Sequence, residues 1–378
     1  MNMRHHPERG NRALRFLDRY AGIPLIGLLG LLKVGRPVAD LCEPRRIAFL
    51  QTAAIGDTVL SSAIVGSVKR AYPDAQLTFF TGSSNYEIAC LIPRIDRIVK
   101  LPVKRPFEAI RMIREAGTFD LWIDFGPWPR INALWTFFAR ACMTVGFKTA
   151  GQYRHAVYDR IALHSDEVHE LENYRRLLTA VRIPIGDCLP TLVHEEVPVA
   201  QNRISAHLFP GGSRSFLKEW PEDKWVRLLD VLAGRGMEIY LTGTGVDRER
   251  ALRVREGMKN RNIVRVVAGE QSIKEVVQLL RSSRLVISID TGIMHIASAL
   301  GADLISLHGP TGPGRWGPLT SNAVALRCSP DCPPCISLGY DSACGDPRCM
   351  DRITVEEVLS SVDALLRRPA GLDAPEAG

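Results

Sequence analysis

Short apolar runs alternate with segments whose apolar residues recur at helical spacing. In the first half this pattern predicts strands at residues 46–51, 77–81, 98–101 and 121–125. It also predicts helices from about residue 58 to Pro73, over 107–116 and over 169–181. Strands that alternate with helices indicate a parallel, doubly wound sheet with helices on both faces.

The second half of the chain repeats this plan. The predicted strands are 203–209, 237–242, 263–267, 285–289 and 304–307. The predicted helices are 222–235, a helix capped by Ser272, and 354–367, where Thr354 and Glu357 form a capping box. The fold class is therefore α/β, with two Rossmann-like doubly wound domains facing an interdomain cleft at their strand ends.

Prolines at 184, 190 and 198 place the domain boundary near residues 184–202. The predicted parts are an N-terminal extension (1–44), a first domain (45–190), a second domain (200–350), a closing helix (354–367) and a disordered tail (369–378).

The break after residues 285–289, Asp290-Thr291-Gly292, is the strongest candidate for a site. A strand that turns into a helix leaves the first helical amides free to bind a phosphate, and Gly292 allows close approach. Asp290 either caps the helix or accepts hydrogen bonds from sugar hydroxyls. His295 is interpreted as a packed core histidine, and a role at the site is a weaker alternative.

Other strand ends carry further candidates. Lys218 follows the loop Pro210-Gly211-Gly212-Ser213 and is the expected cation for a diphosphate, with a surface lysine as the alternative. Asp247 lies in Gly243-x-Gly245-x-x-Arg248, an incomplete dinucleotide fingerprint, and either binds a ribose or caps a helix. Neither a P-loop nor an Asp-x-Asp metal clamp for a nucleotide diphosphate occurs in the sequence.

The first strand ends at a loop that contains Gly56 and Asp57. Asp57 is either a general base that takes a proton from an attacking hydroxyl or an N-cap of the following helix. Arg130, in the loop after residues 121–125, is a further candidate.

The net charge of +7 is concentrated at the N-terminus, where residues 1–46 hold nine basic and four acidic side chains. A nearly neutral remainder argues against a nucleic-acid-binding face. The same segment contains thirteen uncharged, mostly apolar residues, Tyr20 to Leu32. This run is too short to span a bilayer and lacks a clear signal-peptide cleavage site. It suits either the interface of an anionic membrane or a helix packed on the protein surface.

Five of the nine cysteines fall in a Pro- and Gly-rich loop within the second domain. They are Cys328, Cys332, Cys335, Cys344 and Cys349. Their spacing is compatible with a structural zinc, and a disulfide or a reduced, metal-free cluster is the alternative. No catalytic metal is predicted.

Taken together, these motifs resemble glycosyltransferase family 9, the lipopolysaccharide heptosyltransferases, over roughly residues 45–367. The matching segments are Gly56-Asp57, Gly146-Phe147, Pro210-Gly-Gly with Lys218-x-Trp220-Pro221, Asp290-Thr291-Gly292-x-x-His295, and His308-Gly-Pro-Thr311 through Trp316-Gly-Pro318. The Phe125–Pro129 loop differs from the Gln-Gly pattern of inner-core heptosyltransferases.

The resemblance implies a GT-B fold with an acceptor-binding first domain and a nucleotide-sugar-binding second domain. It implies inverting transfer without a metal or other cofactor, with Asp57 as the base. Lys218 and the amides of Thr291 and Gly292 would bind the diphosphate, Asp290 the donor near its sugar or phosphate end, and Asp247 the ribose. Gly212 and Ser213 would belong to the same donor site.

The expected partners are ADP-heptose and a lipopolysaccharide-type acceptor, and the expected location is the cytoplasm at the inner face of the bacterial inner membrane. Two alternatives remain open. One is a nucleotide-sugar epimerase on the same fold, and the other is a catalytically silent, membrane-associated binding protein of envelope assembly.

Overall fold

The structure, a computed structural model, describes residue 16 and residues 18–35, 43–211, 216–328, 334–337, 340–341 and 348–368. The chain divides after Pro190 into two compact units. We call residues 10–190 the N-terminal unit and residues 191–378 the C-terminal unit. The predicted tail after residue 368 lies outside the described residues.

The N-terminal unit begins with a π-helical turn, Asp18–Gly22, that leads into helix α1, Ile23–Leu31. Its strands are β1 Arg46–Gln51, β2 Gln76–Thr81, β3 Arg97–Lys100, β4 Thr118–Asp124, β5 Arg140–Lys148 and β6 Arg160–Leu163. Its other helices are α2 Ile55–Ala71, α3 Tyr86–Ala89, α4 Pro106–Glu115, α5 Arg130–Phe138 and α6 Glu170–Ala180.

The six strands form one parallel sheet in the order β3-β2-β1-β4-β5-β6. Phe49 of β1 lies beside Phe79 of β2 and Ile123 of β4. All three side chains are fully buried, as expected for a sheet covered by helices on both faces. The strand order reverses between β1 and β4, which makes the carboxyl ends of these two strands the topological switch point.

The C-terminal unit contains strands β7 Ala200–His207, β8 Glu238–Thr242, β9 Val264–Val266, β10 Ser283–Ile289, β11 Leu304–His308, β12 Ala323–Arg327, β13 Ile336–Ser337 and β14 Tyr340–Asp341. Its helices are α7 Glu222–Gly234, α8 Arg248–Glu256, α9 Ile273–Arg281, α10 Gly292–Ala299, α11 Pro313–Trp316 and α12 Val355–Leu366.

The first six of these strands form a second parallel sheet in the order β12-β11-β10-β7-β8-β9. This order has the same topology as the first sheet, with its switch point between β7 and β10. Every residue of β10 is buried, which explains why Leu285 to Ile289 are apolar except for Ser288. The predicted two-domain, doubly wound α/β fold is confirmed.

Most predicted elements are confirmed to within about three residues at each end. The capping boxes of Ser272 with Glu275 and of Thr354 with Glu357 are both present. The sequence prediction missed α3, α5, α11, β5, β6, β12, β13 and β14, most of which are short or lack a clear alternation of apolar and polar residues. A cluster of hydrogen-bonded side chains joins the start of α6 to the end of β6, and it consists of His164, Glu170 and Asn173.

Helix α1 packs against the N-terminal unit through one of its faces. Ile26 and Leu29 are buried with Ala133, Val157 and Tyr158 in one apolar cluster. The predicted packing of this segment on the protein surface is therefore confirmed for that face. Within the described residues, none of the helices is long and apolar enough to cross a bilayer.

Gly146, in β5, lies directly under the ring of Tyr158. A Cβ atom at position 146 would be 2.4 Å from Cζ of that ring, and the Tyr158 hydroxyl donates to Asp124 Oδ2 at 2.6 Å. We expect Gly146→Ala to lower the free energy of unfolding by about 1–3 kcal/mol, because the displaced ring is overpacked. Chemical denaturation measures this change.

The matched control is Gly27→Ala, in the same unit, where an added Cβ has no neighbour within 4 Å. An unfolding free energy of Gly146→Ala equal to that of Gly27→Ala would contradict the overpacking argument.

Candidate active site

Asp290 lies at the carboxyl end of β10, at the switch point of the C-terminal sheet. Its Oδ2 accepts a hydrogen bond from Lys218 Nζ at 2.7 Å and a second from the Thr311 hydroxyl. Lys218 Nζ also donates to the backbone oxygen of Asp290 at 3.1 Å. The Asp290 side chain is 5% exposed and that of Lys218 is 12% exposed. Lys218 is thus a mostly buried partner of Asp290 and not an exposed surface lysine.

Charge around Asp290 is balanced mainly by Lys218. Burial by itself would raise the pKa of the Asp290 carboxyl, but the Lys218 ammonium holds that pKa well below its ordinary value. Burial lowers the pKa of His308, against the opposing effect of Asp290. Burial therefore favours the neutral form of His308, and Lys218 is the side chain that forms an ion pair with Asp290.

The turn after Asp290 presents donors at the start of α10. Thr291 is the N-cap residue, but its side chain makes no capping hydrogen bond. Its hydroxyl oxygen is buried and, among the residues that the structure describes, has no hydrogen-bond partner. The N-cap prediction for Asp290 is wrong, because Thr291 occupies that position and the Asp290 carboxylate binds Lys218. A buried, unsatisfied hydroxyl beside free helical amides is suited to hold an anionic oxygen.

The loops that contain Lys218 and Thr311 are fixed by buried neighbours. Trp220 is buried and its Nε1 donates to the backbone oxygen of Ile353 at 3.0 Å. A Cβ atom at Gly309 would be 2.6 Å from Sδ of Met350, so any larger residue at this position would displace the Met350 side chain. Trp220 and Gly309 therefore hold the loops around Asp290 in place.

Asp247 lies in the loop that follows β8, the strand that pairs directly with β7. Its Oδ2 accepts hydrogen bonds from the backbone nitrogen and hydroxyl of Thr244, at 2.8 and 2.7 Å, in a capping box. A Cβ atom at Gly211 would be 3.4 Å from the same oxygen. The loops after β7 and β8 are therefore adjacent. Asp247 stands at the N-cap position of α8, but its side chain makes no capping hydrogen bond to that helix and instead closes the capping box of the preceding 3-10 turn.

The other residues predicted for the donor site are His295, Gly212 and Ser213. His295 is 5% exposed and packs edge-on to the Trp316 ring, with 6.2 Å between ring centroids. The interpretation of His295 as a packed histidine is confirmed. Gly212 and Ser213 lie outside the described residues.

Asp57 lies in the first turn of α2, just after β1 at the switch point of the N-terminal sheet. Its side chain is half-buried, and Oδ1 accepts a hydrogen bond from the Tyr174 hydroxyl at 3.0 Å. The N-cap position of α2 is occupied by Ala54, so the capping prediction for Asp57 is wrong. Gly56 is buried in the same turn.

Tyr174, on α6, is fully buried beside Asp57. Burial raises the pKa of its hydroxyl well above its ordinary value, and the charges of Asp57 and Glu170 raise it further. The hydroxyl also accepts a hydrogen bond from Gln51 Nε2 at 3.2 Å. Tyr174 thus stays protonated and donates to Asp57. Because 117 positions separate the two residues, no local sequence pattern indicated this contact.

The backbone before Asp57 is strained. Ala54 has φ 64° and ψ 129°, a conformation that disfavours residues with a Cβ atom. Such backbone strain is more frequent at functional sites than elsewhere. It supports a functional role for the loop that presents Asp57.

A buried hydrogen-bond network lies at the carboxyl end of β4, next to β1. Asp124 and Arg154 form an ion pair, and both side chains are 0% exposed. Asn132 connects this pair to the β1 loop, because Nδ2 donates to Asp124 Oδ1 at 3.3 Å and Oδ1 accepts from the Thr52 hydroxyl at 2.9 Å. The sequence prediction did not identify these residues.

Arg130, a further candidate of the sequence analysis, starts α5 and contacts the N-terminal segment. Its guanidinium pairs with Asp18 and donates from Nε to the backbone oxygen of Gln152 at 2.9 Å. The structure therefore places Arg130 between the N-terminal segment and a neighbouring loop.

The predicted metal loop is only partly described. Cys328 and Cys335 are half-buried and Cys349 is buried, whereas Cys332 and Cys344 lie outside the described residues. Among the described residues, no group of three or more metal-ligating side chains could hold an ion.

Comparison with known proteins places these features in a family context. The family model described as glycosyltransferase family 9 (heptosyltransferase) matches residues 132–341, more than half of the chain. The chain is 24% identical over 312 residues to lipooligosaccharide heptosyltransferase 2 of Haemophilus ducreyi, covering 75% of this chain and 88% of that relative.

Two solved structures share the fold. The Escherichia coli ADP-heptose lipopolysaccharide heptosyltransferase II is 20% identical with a TM-score of 0.70, covering 85% of this chain and 98% of that one. An E. coli heptosyltransferase determined with ADP is 20% identical with a TM-score of 0.66, covering 85% and 99%.

Proposed function

Because the chain belongs to glycosyltransferase family 9, we propose that it transfers heptose from ADP-heptose to the core of a lipopolysaccharide-type acceptor. The family makes the chain a glycosyltransferase. The observation that carries the donor assignment is the Lys218–Asp290 pair beside the unsatisfied Thr291 hydroxyl. The ADP-linked donor is supported by the similar E. coli proteins, one named an ADP-heptose heptosyltransferase and the other determined with ADP.

The donor's diphosphate would bind at the start of α10. A lysine ammonium has three N–H donors. Within the described residues, the Lys218 ammonium donates to two acceptors, and both belong to Asp290. The remaining N–H, the Thr291 hydroxyl and the amides of Thr291 and Gly292 would bind phosphate oxygens. Gly212 and Ser213 are proposed to complete this site.

The sugar and the ribose would be held by carboxylates. Asp290 is proposed to contact the donor near its sugar or phosphate end, since its fixed, ionised carboxylate accepts hydrogen bonds. Asp247 is proposed to contact the ribose. Because Thr244 already donates twice to Asp247 Oδ2, the ribose hydroxyl would bind the other oxygen, Oδ1.

The reaction would be a single displacement. Asp57 takes the proton of the acceptor hydroxyl, whose oxygen bonds to the anomeric carbon as the bond from that carbon to the diphosphate breaks. Attack opposite the leaving group inverts the anomeric configuration. The negative charge that develops on the leaving diphosphate is stabilised by Lys218 and the α10 amides, which is the basis for proposing transfer without a catalytic metal.

Tyr174 is proposed to hold Asp57 in position for this step. Tyr174→Phe removes the hydroxyl that donates to the carboxylate, and a carboxylate that loses a donor binds protons more readily. We expect the acid limb of the kcat/KM profile to move to higher pH and kcat to fall by about tenfold. Rates measured from pH 5 to pH 9 provide the check. An unchanged pH profile would show that Tyr174 has only a packing role.

A structural zinc at the cysteine loop is a separate proposal, with a disulfide or reduced cluster as alternatives. It is supported by the spacing of the five cysteines. Elemental analysis should give one zinc per chain, retained on gel filtration and lost in Cys335→Ser. If the purified protein contains no zinc and added zinc does not change its melting temperature, the structural zinc proposal is wrong.

The proposed location is the cytoplasm, at the inner face of the inner membrane, because the proposed acceptor is a saccharide lipid.

The donor assignment is tested by thermal shift with ADP, UDP, GDP and CMP, each with and without EDTA. A ligand that binds only the folded state raises its melting temperature. We expect a selective shift with ADP that EDTA leaves unchanged. A selective shift with another nucleotide would keep the donor site but change the base, and the absence of any shift would contradict the donor site itself.

A further inference from the structure

One side of the N-terminal helical segment is an exposed apolar surface. Leu25, Leu28, Leu31 and Leu32 are 42%, 61%, 68% and 60% exposed. Phe16, Tyr20 and Val34 at the ends of the segment are exposed to a similar degree or more. We call these seven residues the N-terminal apolar face. So many large apolar side chains grouped on one exposed element are typical of a surface that binds a partner.

The opposite side of the same helix is fixed to the N-terminal unit. Ile26 and Leu29 are 1% and 9% exposed. A Cβ atom at Gly30 would be 2.7 Å from Cβ of Ala156, so glycine allows the helix to lie directly on the turn at Arg154–Val157. The helix therefore buries one apolar side within the protein and leaves a second apolar side exposed.

Both ends of the segment are held by charged contacts. Asp18 pairs with Arg130 at the start. At the end, Lys33 Nζ binds Asp159 Oδ1 at 2.8 Å, the Val157 oxygen at 2.9 Å and the Thr144 hydroxyl at 3.1 Å. The exposed leucines are thus presented by an anchored helix, which loses little conformational entropy when a partner binds.

We propose that the N-terminal apolar face docks into the interfacial region of an anionic lipid bilayer. The helical turns from Asp18 to Leu31 comprise fourteen residues, about 21 Å of helix. The hydrocarbon core of a bilayer is about 30 Å thick, so this helix would lie along the interface. The exposed aromatic rings of Phe16 and Tyr20 suit the headgroup region.

Charge favours an anionic bilayer over a second copy of this chain. Residues 1–46 carry nine basic and four acidic side chains, with Arg12, Arg15 and Arg36 close in sequence to the apolar run. Basic residues beside an apolar helix attract anionic headgroups. Two copies of the same face would instead bring like charges together. The inference uses none of the proposed catalytic residues, so its success or failure is independent of the transfer reaction.

The test is sedimentation of the full-length protein with vesicles of phosphatidylcholine alone or with phosphatidylglycerol. We expect binding to the anionic vesicles that weakens as salt increases. Leu28→Glu with Leu31→Glu should lower the partition coefficient by roughly 100-fold, because two exposed leucines no longer insert. The matched control is Phe107→Glu with Leu163→Glu, two exposed apolar residues elsewhere in the unit, at 84% and 65% exposure. This control should bind like the original protein.

A second variant reports the depth of the helix directly. Leu28→Trp should show a blue-shifted emission on vesicle addition and quenching by brominated lipid chains. Equal vesicle binding by the Leu28→Glu/Leu31→Glu variant and the original protein would overturn the proposal. Failure of the original protein to bind anionic vesicles would also overturn it. The same holds if the protein instead forms a dimer that Leu28→Glu with Leu31→Glu dissociates.

Discussion

Asp57→Asn should lower kcat by about 10³-fold, because an amide cannot take the acceptor proton. The asparagine has the same shape and its oxygen can still accept the hydrogen bond from Tyr174. The donor would bind the C-terminal unit, so the dissociation constant for ADP should stay within about twofold of the original value. Release of ADP in the presence of acceptor measures kcat, and isothermal titration measures ADP binding.

Asp74→Asn is the matched control, since Asp74 is an exposed aspartate that follows α2 at the opposite end from Asp57. It should retain the original kcat. If Asp57→Asn keeps more than about a tenth of the original kcat, general-base catalysis by Asp57 is wrong. If ADP affinity falls together with kcat, the role of Asp57 lies in donor binding.

Lys218→Met should weaken both folding and donor binding. The substitution leaves the Asp290 carboxylate buried without its cation, which typically costs about 3–5 kcal/mol in unfolding free energy. ADP affinity should fall by roughly 10- to 100-fold, because a charge-assisted contact with the diphosphate is lost. Chemical denaturation and titration with ADP measure the two effects separately.

The double variant Lys218→Met/Asp290→Asn separates these two roles. It removes both charges, so most of the lost stability should return, while ADP affinity should remain low. Lys274→Met is the control and should leave stability and ADP affinity unchanged, because Lys274 pairs with Glu195 and their side chains are 65% and 61% exposed. A Lys218→Met protein with normal ADP affinity would contradict the proposed diphosphate contact.

The same pair predicts how stability depends on pH. Because the pKa of Asp290 is lowered in the folded protein, the unfolded chain binds a proton there more readily. The contribution of Asp290 is complete above the ordinary aspartate pKa of about 3.9 and is lost as the pH falls towards the folded value. In Lys218→Met this acid-dependent loss should be much smaller than in the original protein.

The sequence predicted the fold where the local pattern was strong. Apolar runs marked β1 and β10, and capping boxes marked α9 and α12, because these signals depend on neighbouring residues only. It did not mark β6, whose four residues are Arg160 to Leu163 and whose pairing with β5 depends on distant residues. Local propensity does not encode such pairing.

The candidate site shows the same division. Spacing and resemblance identified Lys218, Asp290 and Asp57 as single residues. They did not show that Lys218 binds Asp290, 72 positions away, or that Tyr174 donates to Asp57. The capping alternatives for Asp57 and Asp290 could be decided only when the first residue of each helix was known, since helix ends are uncertain by a few residues in sequence analysis.

The parallel pairing of both six-stranded sheets has a consequence for the route by which the chain folds. Ile47 of β1 lies opposite Leu121 of β4, and Ile287 of β10 lies opposite Ala206 of β7. Neither sheet contains a hairpin that could form early through a tight turn, so each central pairing must close a long loop first. Such high contact order predicts slow folding with exposed apolar strands, and therefore a strong dependence of refolding yield on protein concentration.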